Sequence, residues 1–549
     1  MTQILYNRGI YLPHEVRQFI NGATDAADPG LLKDVPQAAA QILAAIKAGE
    51  QIVVYGDYDA DGVTATVLMV QVLAALGANV QPYIPDRFEE GYGLNTEALD
   101  KLAGRGAALV VTVDCGIRSV EEVAHGNSLG LRFIITDHHQ VPRDEAGNDV
   151  LPPAAAVINP KRRDSEYPFA DLAGVGVAYK LAQALIQLAA PQQRALPALQ
   201  PEALLDLVAI GTVADMVPLI GENRSLVKQG LACIRQPRRV GLQTLIEQGG
   251  LQPDRITAGT IGFVIGPRLN AAGRLTHARI AYRLLATEDR PQAQHLAAQL
   301  TRINAERQEL TRQFVEQART QIMQRQTPAP LYLICDPEFN HGVVGLVASR
   351  LTDEFYRPML VAHRGEQFTR GSGRSIPEFD ITRALDRCAD LLERYGGHAA
   401  AAGFTIKNSN VPQFEARLTQ IAQQVLAGES LQKTVFIDAE INLKGVTPRL
   451  VEEIQNLRPF GYHNPTPRFV SRGLQVRYQT LVGKDRSHLK LKLFDGKRVW
   501  DAIGFGLGRD WASPARQATV DAVYTLEFNT WRGQNSLQLN VKDLKLSQA

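Results

Sequence analysis

An apolar run closed by acidic residues occurs three times early in the chain, and this construction limits the fold more than any other feature. Gln51-Ile52-Val53-Val54-Tyr55 leads into Gly56-Asp57-Tyr58-Asp59-Ala60-Asp61-Gly62. Leu109-Val110-Val111-Thr112-Val113 leads into Asp114-Cys115-Gly116, and Phe133-Ile134-Ile135-Thr136 into Asp137-His138-His139. Val80 to Ile84 and Ala156-Val157-Ile158 are further β-rich runs, and Val63 to Leu76 and Thr96 to Leu102 read as helices between them. Strands alternating with helices predict an α/β domain with a largely parallel sheet. The carboxyl ends of such strands share one edge, where ligands bind. Three segments therefore deliver acids and imidazoles to one rim. A helix expected from Glu202 to Val213 brings a fourth, Asp215.

So many carboxylates cannot stay ionised together unless cations lie among them. Oxygen ligands with one or two imidazoles suit Mg²⁺ or Mn²⁺ better than zinc. Two ions sharing a carboxylate, ~4 Å apart, clamp the attacking and leaving oxygens of a phosphoryl displacement. Asp and Gly are common after strands, so a single Asp here reads equally well as a turn residue. Three strand-terminal clusters do not. The start of Asp57-x-Asp59-x-Asp61-Gly62 matches a calcium loop, but such a loop needs a Glu at its twelfth position and an entering helix. The twelfth residue is Leu68 and a strand precedes the loop, so this reading is rejected.

At 549 residues the chain is too long for one core, and three or four domains are expected. Leu296, Leu300, Ile303, Leu310, Phe314, Ala318 and Ile322 follow helical spacing over Pro291 to about Gln326. At 1.5 Å per residue this helix is roughly 50 Å long and reads as a strut between domains. Thr327-Pro328-Ala329-Pro330 ends it. A smaller α/β unit then begins with the strand Leu331 to Cys335. After Glu429, strands at Val435 to Ile441, Arg468 to Tyr478, His488 to Phe494, Val499 to Phe505, Val523 to Phe528 and Ser536 to Val541 suggest a small β-barrel.

The formal net charge of +2 implies no partner, but its distribution does. Between Lys444 and Arg498 there are 12 Lys or Arg against 4 Asp or Glu. Phe460, Tyr462, Phe469, Tyr478, Phe494 and Trp500 are interleaved with them. Cationic grooves with stacking rings are how OB folds hold single strands without reading sequence. Cys115, Cys233, Cys335 and Cys388 form no CxxC pair, which fits a reducing compartment. The first residues lack a signal-peptide pattern, and no uncharged apolar run approaches the ~20 residues that cross a bilayer, so a soluble cytoplasmic protein is expected.

Three more segments carry anion-binding residue types. Gly266-Pro267-Arg268-Leu269-Asn270-Ala271-Ala272-Gly273-Arg274 reads as turn-rich, with arginines whose planar fork grips phosphate oxygens. Gly371-Ser372-Gly373-Arg374-Ser375 and Gly396-Gly397-His398-Ala399-Ala400-Ala401-Ala402-Gly403 combine close backbone approach with donors.

The segments Gly56 to Gly62, Asp114-Cys115-Gly116, Asp137-His138-His139 and Gly211-Thr212-Val213-Ala214-Asp215-Met216 resemble the four ordered motifs of the DHH phosphoesterase superfamily. The whole chain is similar to the single-strand-specific 5′→3′ exonucleases within it. The resemblance implies an α/β DHH catalytic domain over 1–285, a connecting helix over 286–328, a smaller α/β DHH-associated domain over 329–428 and an OB-like barrel over 429–549. It implies that Asp57, Asp59, Asp61, Asp114, His138 and Asp215 bind two Mg²⁺ or Mn²⁺ ions. Asp137 would orient that shell and His139 would contact the scissile phosphate. Arg268, Asn270, Arg274, Ser372, Gly373, Arg374, Ser375 and His398 would bind substrate. Some relatives carry a histidine where this chain has Tyr55. The implied activity is stepwise release of 5′-mononucleotides from single-stranded DNA in repair and recombination. The implied form is a monomer, with single-strand-binding protein and a helicase as partners. A small-substrate phosphoesterase would lack the strut and the basic barrel, and a non-catalytic scaffold would have lost the carboxylates.

Overall fold

The computed structural model describes residues 1–21, 27–87, 89–190, 200–325, 327–508, 511, 518–531 and 534–547. Its first sheet is parallel throughout, in the order β2-β1-β3-β4-β5. These strands are β1 (Gln51–Gly56), β2 (Asn79–Tyr83), β3 (Ala107–Val113), β4 (Arg132–Thr136) and β5 (Ala156–Ile158). Alternate side chains of β1 enter different cores. Ile52 and Val54 pack with the helix Ala60–Ala75, while Val53 and Tyr55 pack with Leu99, Leu102 and Val123. Burial on both faces explains why these strands read as continuous apolar runs. The chain leaves β1 for β2 on one side and crosses to β3 on the other, so the crevice of the sheet opens between β1 and β3.

The long helix spans Arg290–Met323, with Asp289 capping it and Pro291 in its first turn. Leu296, Ala297 and Leu300 lie in the core of the first α/β domain, whereas Phe314, Val315, Ala318 and Ile322 lie in the next domain's core. One helix thus fixes two cores relative to each other, as a strut does. Gln326, near its expected end, lies outside the described residues.

The second sheet has the order β6-β7-β8-β10-β9, from β6 (Tyr332–Asp336), β7 (Met359–Arg364), β8 (Phe368–Arg374), β9 (Leu392–His398) and β10 (Ala401–Lys407). The barrel comprises β11 (Ala439–Glu440), β12 (Phe469–Val482), β13 (His488–Phe494), β14 (Val499–Gly504), β15 (Thr519–Trp531) and β16 (Gln534–Leu546), closed by pairing of β12 with β15.

Three expectations need correction. The strand at Val435 to Ile441 shrinks to Ala439–Glu440, because Phe436 (80% exposed) and Ile437 stand in solvent ahead of the β12 pairing. The segment Gly266 to Arg274 is not turn-rich but a helix, Gly266–Leu275, with Pro267 in its first turn where no amide is needed. Finally, the helices Thr2–Asn7 and Pro13–Asn21 belong with the barrel. Ile4 and Leu5 are buried in its core, and Arg8 donates to Asp438 Oδ1 at 2.9 Å and Asn464 Oδ1 at 2.7 Å.

Candidate metal centre

The acids after β1 are held by backbone amides. Asp59 caps the helix Ala60–Ala75, its Oδ1 accepting from Asp61 N (2.8 Å) and Gly62 N (3.1 Å). Asp61 accepts from Gly174 N (2.7 Å) and Val175 N (2.9 Å), the first amides of the helix Gly174–Ala189. Gly174 is obligatory, because a Cβ there would lie 2.4 Å from Asp114 Oδ1. Asp114 itself has φ +65°, a left-handed conformation that Asp tolerates better than most residues.

Ligand atoms of Asp57, Asp59 and Asp114 lie within 4.8 Å of one another, as do those of Asp61, His138 and Asp215, and those of Asp114, His138 and His139. His138 Nε2 lies 3.1 Å from Asp114 Oδ1 and 3.5 Å from Asp215 Oδ2, without hydrogen-bond alignment. Among the described residues, Asp57 Oδ1, Asp114 Oδ1 and both His138 ring nitrogens are buried with no hydrogen-bond partner. Unpaired buried lone pairs are costly. Gathered in overlapping clusters of aspartate and histidine, they fit divalent cations. The position of Tyr55 offers no ligand: the ring is buried, stacks on Tyr83, and donates its hydroxyl to the Gly93 carbonyl.

The charges agree with this reading. Burial, then the Asp59 charge, pushes the Asp57 carboxyl up to about 8 and that of Asp61 to about 7. Burial and neighbouring aspartates also raise Asp114 and Asp215 well above the usual carboxylate range. Protein groups alone cannot neutralise the cluster in its ionised form.

Asp137 differs. Its Oδ1 accepts from His138 N (2.7 Å) and His139 N (3.0 Å) and faces His139 Nδ1 at 2.7 Å, while Oδ2 accepts from Ile117 N at 2.9 Å. Burial opposes ionisation of Asp137, but the charge and hydrogen bond of His139 outweigh it and hold the carboxyl below its ordinary value. Burial likewise opposes charge on His139, yet Asp137 raises that imidazole to about 9. His138 is lowered to about 3, by burial and then by the His139 charge. Adjacent histidines are thus split into a neutral ligand type and a cation.

Cations face this rim. Arg274 is lowered to about 9 by burial and then by the charges of Arg87, Arg307 and Arg374, with Asp59 opposing. Burial, then the charges of Arg374 and His139, lowers His398 at the end of the second domain's β9. Arg374 donates to Ser372 Oγ (2.7 Å) and the Gly373 carbonyl (2.8 Å), and Ser375 donates to the Phe379 carbonyl. Two of the expected substrate residues are turned elsewhere. Asn270 Oδ1 accepts from Ala60 N at 2.7 Å, buttressing the aspartate loop, and Arg268 donates to the Val264 carbonyl one turn back.

Sequence reading missed Arg87, Tyr92 and His341. The Tyr92 hydroxyl lies 3.1 Å from His139 Nδ1. Arg87 stands over the Tyr58 ring and follows β2, whose carboxyl end lies on the same rim, so the strand-end rule applied to β2 finds it. His341 is half-buried with its Nδ1 atom buried and unpaired, and no local signal marks it.

Family models match the chain in this order: the DHH family N-terminal domain over residues 51–212, the DHHA1 domain over 329–426 and the RecJ OB domain over 437–543. The single-stranded-DNA-specific exonuclease RecJ of Bacillus subtilis (strain 168) is 37% identical over 551 residues, covering 100% of this chain and 68% of its own. That of Escherichia coli (strain K12) is 34% identical over 559 residues, covering 99% and 95%. The crystal structure of RecJ in complex with Mn²⁺ from Thermus thermophilus superposes with a TM-score of 0.84 at 33% identity, covering 100% of this chain and 76% of that one. With its acidic rim, facing second domain and barrel matched from end to end, the chain belongs to the RecJ family.

Proposed function

We propose that this protein is a metal-dependent, single-stranded-DNA-specific exonuclease that works 5′→3′ and releases 5′-mononucleotides. The observation that carries this reading is the set of unpaired buried ligand atoms on Asp57, Asp114 and His138 within overlapping aspartate and histidine clusters, with Arg274 and the second domain's Arg374 beside them. Asp57, Asp59, Asp61, Asp114, His138 and Asp215 hold two Mg²⁺ or Mn²⁺ ions, the metals bound in the Thermus relatives. Such ions supply an activated water and neutralise charge at the phosphate.

The protein's own groups do the rest. Asp61, fixed by two helix-terminal amides, sets the position of one carboxylate; Asp137 keeps His139 protonated and aimed. Charged His139 donates to the scissile phosphate. Arg274, Arg374, Ser372, Ser375, Gly373 and His398 receive the strand's 5′ end, while Arg268 and Asn270 support the site through the Val264 carbonyl and the Ala60 amide. Capture of a terminal phosphate beyond the metal residues makes the cut exonucleolytic. Single-strand specificity on this reading comes from a passage between the α/β domains that would exclude a duplex, and the barrel's exposed Tyr462 and Tyr478 offer stacking faces.

The domain limits at 285, 328 and 428 belong to this reading. So do a monomer, the cytoplasm, a role in repair and recombination, and partnership with single-strand-binding protein and a helicase. No helix among the described residues is long and apolar enough to cross a membrane. Digestion of a 5′-labelled single strand and its duplex with either metal is the test. Labelled mononucleotide should be the first product, from the single strand only; a ladder of long labelled fragments would contradict the polarity.

A further inference from the structure

Where the barrel meets the catalytic domain, a cleft of about 330 Å³ opens beside the helix Gly221–Arg235 and the helical turn Ile261–Ile265. Leu231 and Phe263 line it from one domain, Pro459 and Phe460 from the other. Phe263 is 84% exposed, an aromatic ring with one face free. Arg235 and Arg458 enter the same cleft, and among the described residues no acidic side chain lines it. Burial and the Arg235 charge both lower Arg458, as expected of two guanidiniums sharing a space without a counter-ion.

The cleft is one part of a longer strip. A second cavity of about 540 Å³ shares Arg458, Phe460 and Thr466 with it and runs onto the barrel at Phe528, Asn540 and Lys542. Its single acid, Glu527, accepts from Asn540 Nδ2 at 3.1 Å. At the other end, Gly262 and Gly266, on either side of Phe263, sit against Val213 and Ala214, the residues just before Asp215. Leu219 N donates to the Tyr462 carbonyl at 2.8 Å, and Met216 beside Asp215 is 68% exposed.

We propose that this strip is a second strand-binding site, on which single-stranded nucleic acid leaving the metal residues lays a backbone phosphate between Arg235 and Arg458 and stacks a base on Phe263. The inference rests on the exonuclease reading and adds to it the route of the strand towards the barrel. A planar fork suits phosphate, and an exposed ring accepts any base, so the site is blind to sequence. An acidic peptide would meet the same two arginines. The strand is favoured because the cleft adjoins the residues before Asp215 at one end and continues through Arg458 and Phe460 to Phe528 and Lys542 on the barrel at the other.

The test is fluorescence anisotropy with 5′-phosphorylated (dT)20 in EDTA, over a range of KCl, for wild type, Arg458→Ala, Phe263→Ala and a surface control, Arg312→Ala. Thermal melts confirm folding. Arg458→Ala should weaken binding by about 5- to 20-fold and reduce the salt slope by about one. Phe263→Ala should weaken it by about 5- to 100-fold with the slope unchanged. Variants within two-fold of a tightly binding wild type overturn the cleft site alone, and leave the cleft to an acidic peptide. A wild type that fails to bind (dT)20 overturns the exonuclease reading and the cleft with it.

Discussion

His139 Nδ1 lies 2.7 Å from Asp137 Oδ1, a contact that favours the charged His139 imidazole while burial, then the His139 charge, keeps the adjacent His138 neutral. Replacing the acid with its amide keeps the shape and removes the charge. In Asp137→Asn the His139 imidazole should fall from about 9 towards its ordinary value. Cleavage at neutral pH should drop by about 10- to 100-fold, the usual cost of losing an orienting partner. The group is active as a cation, so activity is lost as pH rises through its pKa. The alkaline limb of kcat/KM against pH should therefore move to lower pH in the variant. An unmoved limb would remove His139 from the mechanism.

Stability without metal should fall as pH rises. Asp57 and Asp61 are raised to about 8 and about 7, against 3.8 for a free carboxyl. Between about pH 4 and pH 8 the folded protein therefore binds more protons than the unfolded chain, and unfolding free energy declines across that window. Ions that replace those protons should reverse the trend. Melting in EDTA and in Mn²⁺ should show a larger Tm gain from metal at pH 8 than at pH 5. An equal gain at both would refute the assignment.

Gly174→Ala places a methyl 2.4 Å from Asp114 Oδ1. Overpacking of this kind costs about 1–3 kcal/mol, and the displaced carboxylate should weaken Mn²⁺ binding by about 10- to 100-fold in calorimetric titration. Gly176→Ala, on the same helix, meets only Leu172 at 3.4 Å and should bind Mn²⁺ as wild type does.

Arg374→Ala removes a charged donor held by Ser372 Oγ and the Gly373 carbonyl. A charge-assisted hydrogen bond contributes about 1.5–3 kcal/mol. KM for a 5′-phosphorylated strand should rise by about 10- to 100-fold while that for a 5′-hydroxyl strand changes little. If the preference between the two ends survives, the terminal phosphate is held elsewhere.

The acidic rim was legible because strand direction alone places Asp57, Asp114 and Asp137 at one edge, and the β2-β1-β3 order puts the crevice there. The strut was legible from its long apolar spacing. The helix Gly266–Leu275 was not, because Gly and Pro are punctuation in a sequence but tolerable in a first turn, and Gly273 is small for a tertiary reason: a Cβ would lie 2.5 Å from the Tyr58 carbonyl. Nor could the aromatic residues of the barrel be sorted. Phe469 and Trp500 are core while Tyr462 and Tyr478 are exposed, a division fixed by strand register and loop path. Tyr92 and His341 reach the site from loops whose own residues carry no periodicity.

The N-terminal arm has a consequence in time. Asn7 Nδ2 donates to the carbonyl of Asp438, 431 residues further on. At a translation rate of about 5–20 residues per second, the partner surface emerges about 20–90 s after the arm. Ile4 and Leu5 spend that interval without the barrel that buries them. Closing the clasp is therefore a late event that waits for the barrel strands to be made. A nascent chain released before the barrel carries an open apolar face at its start, a handle for chaperones and proteases.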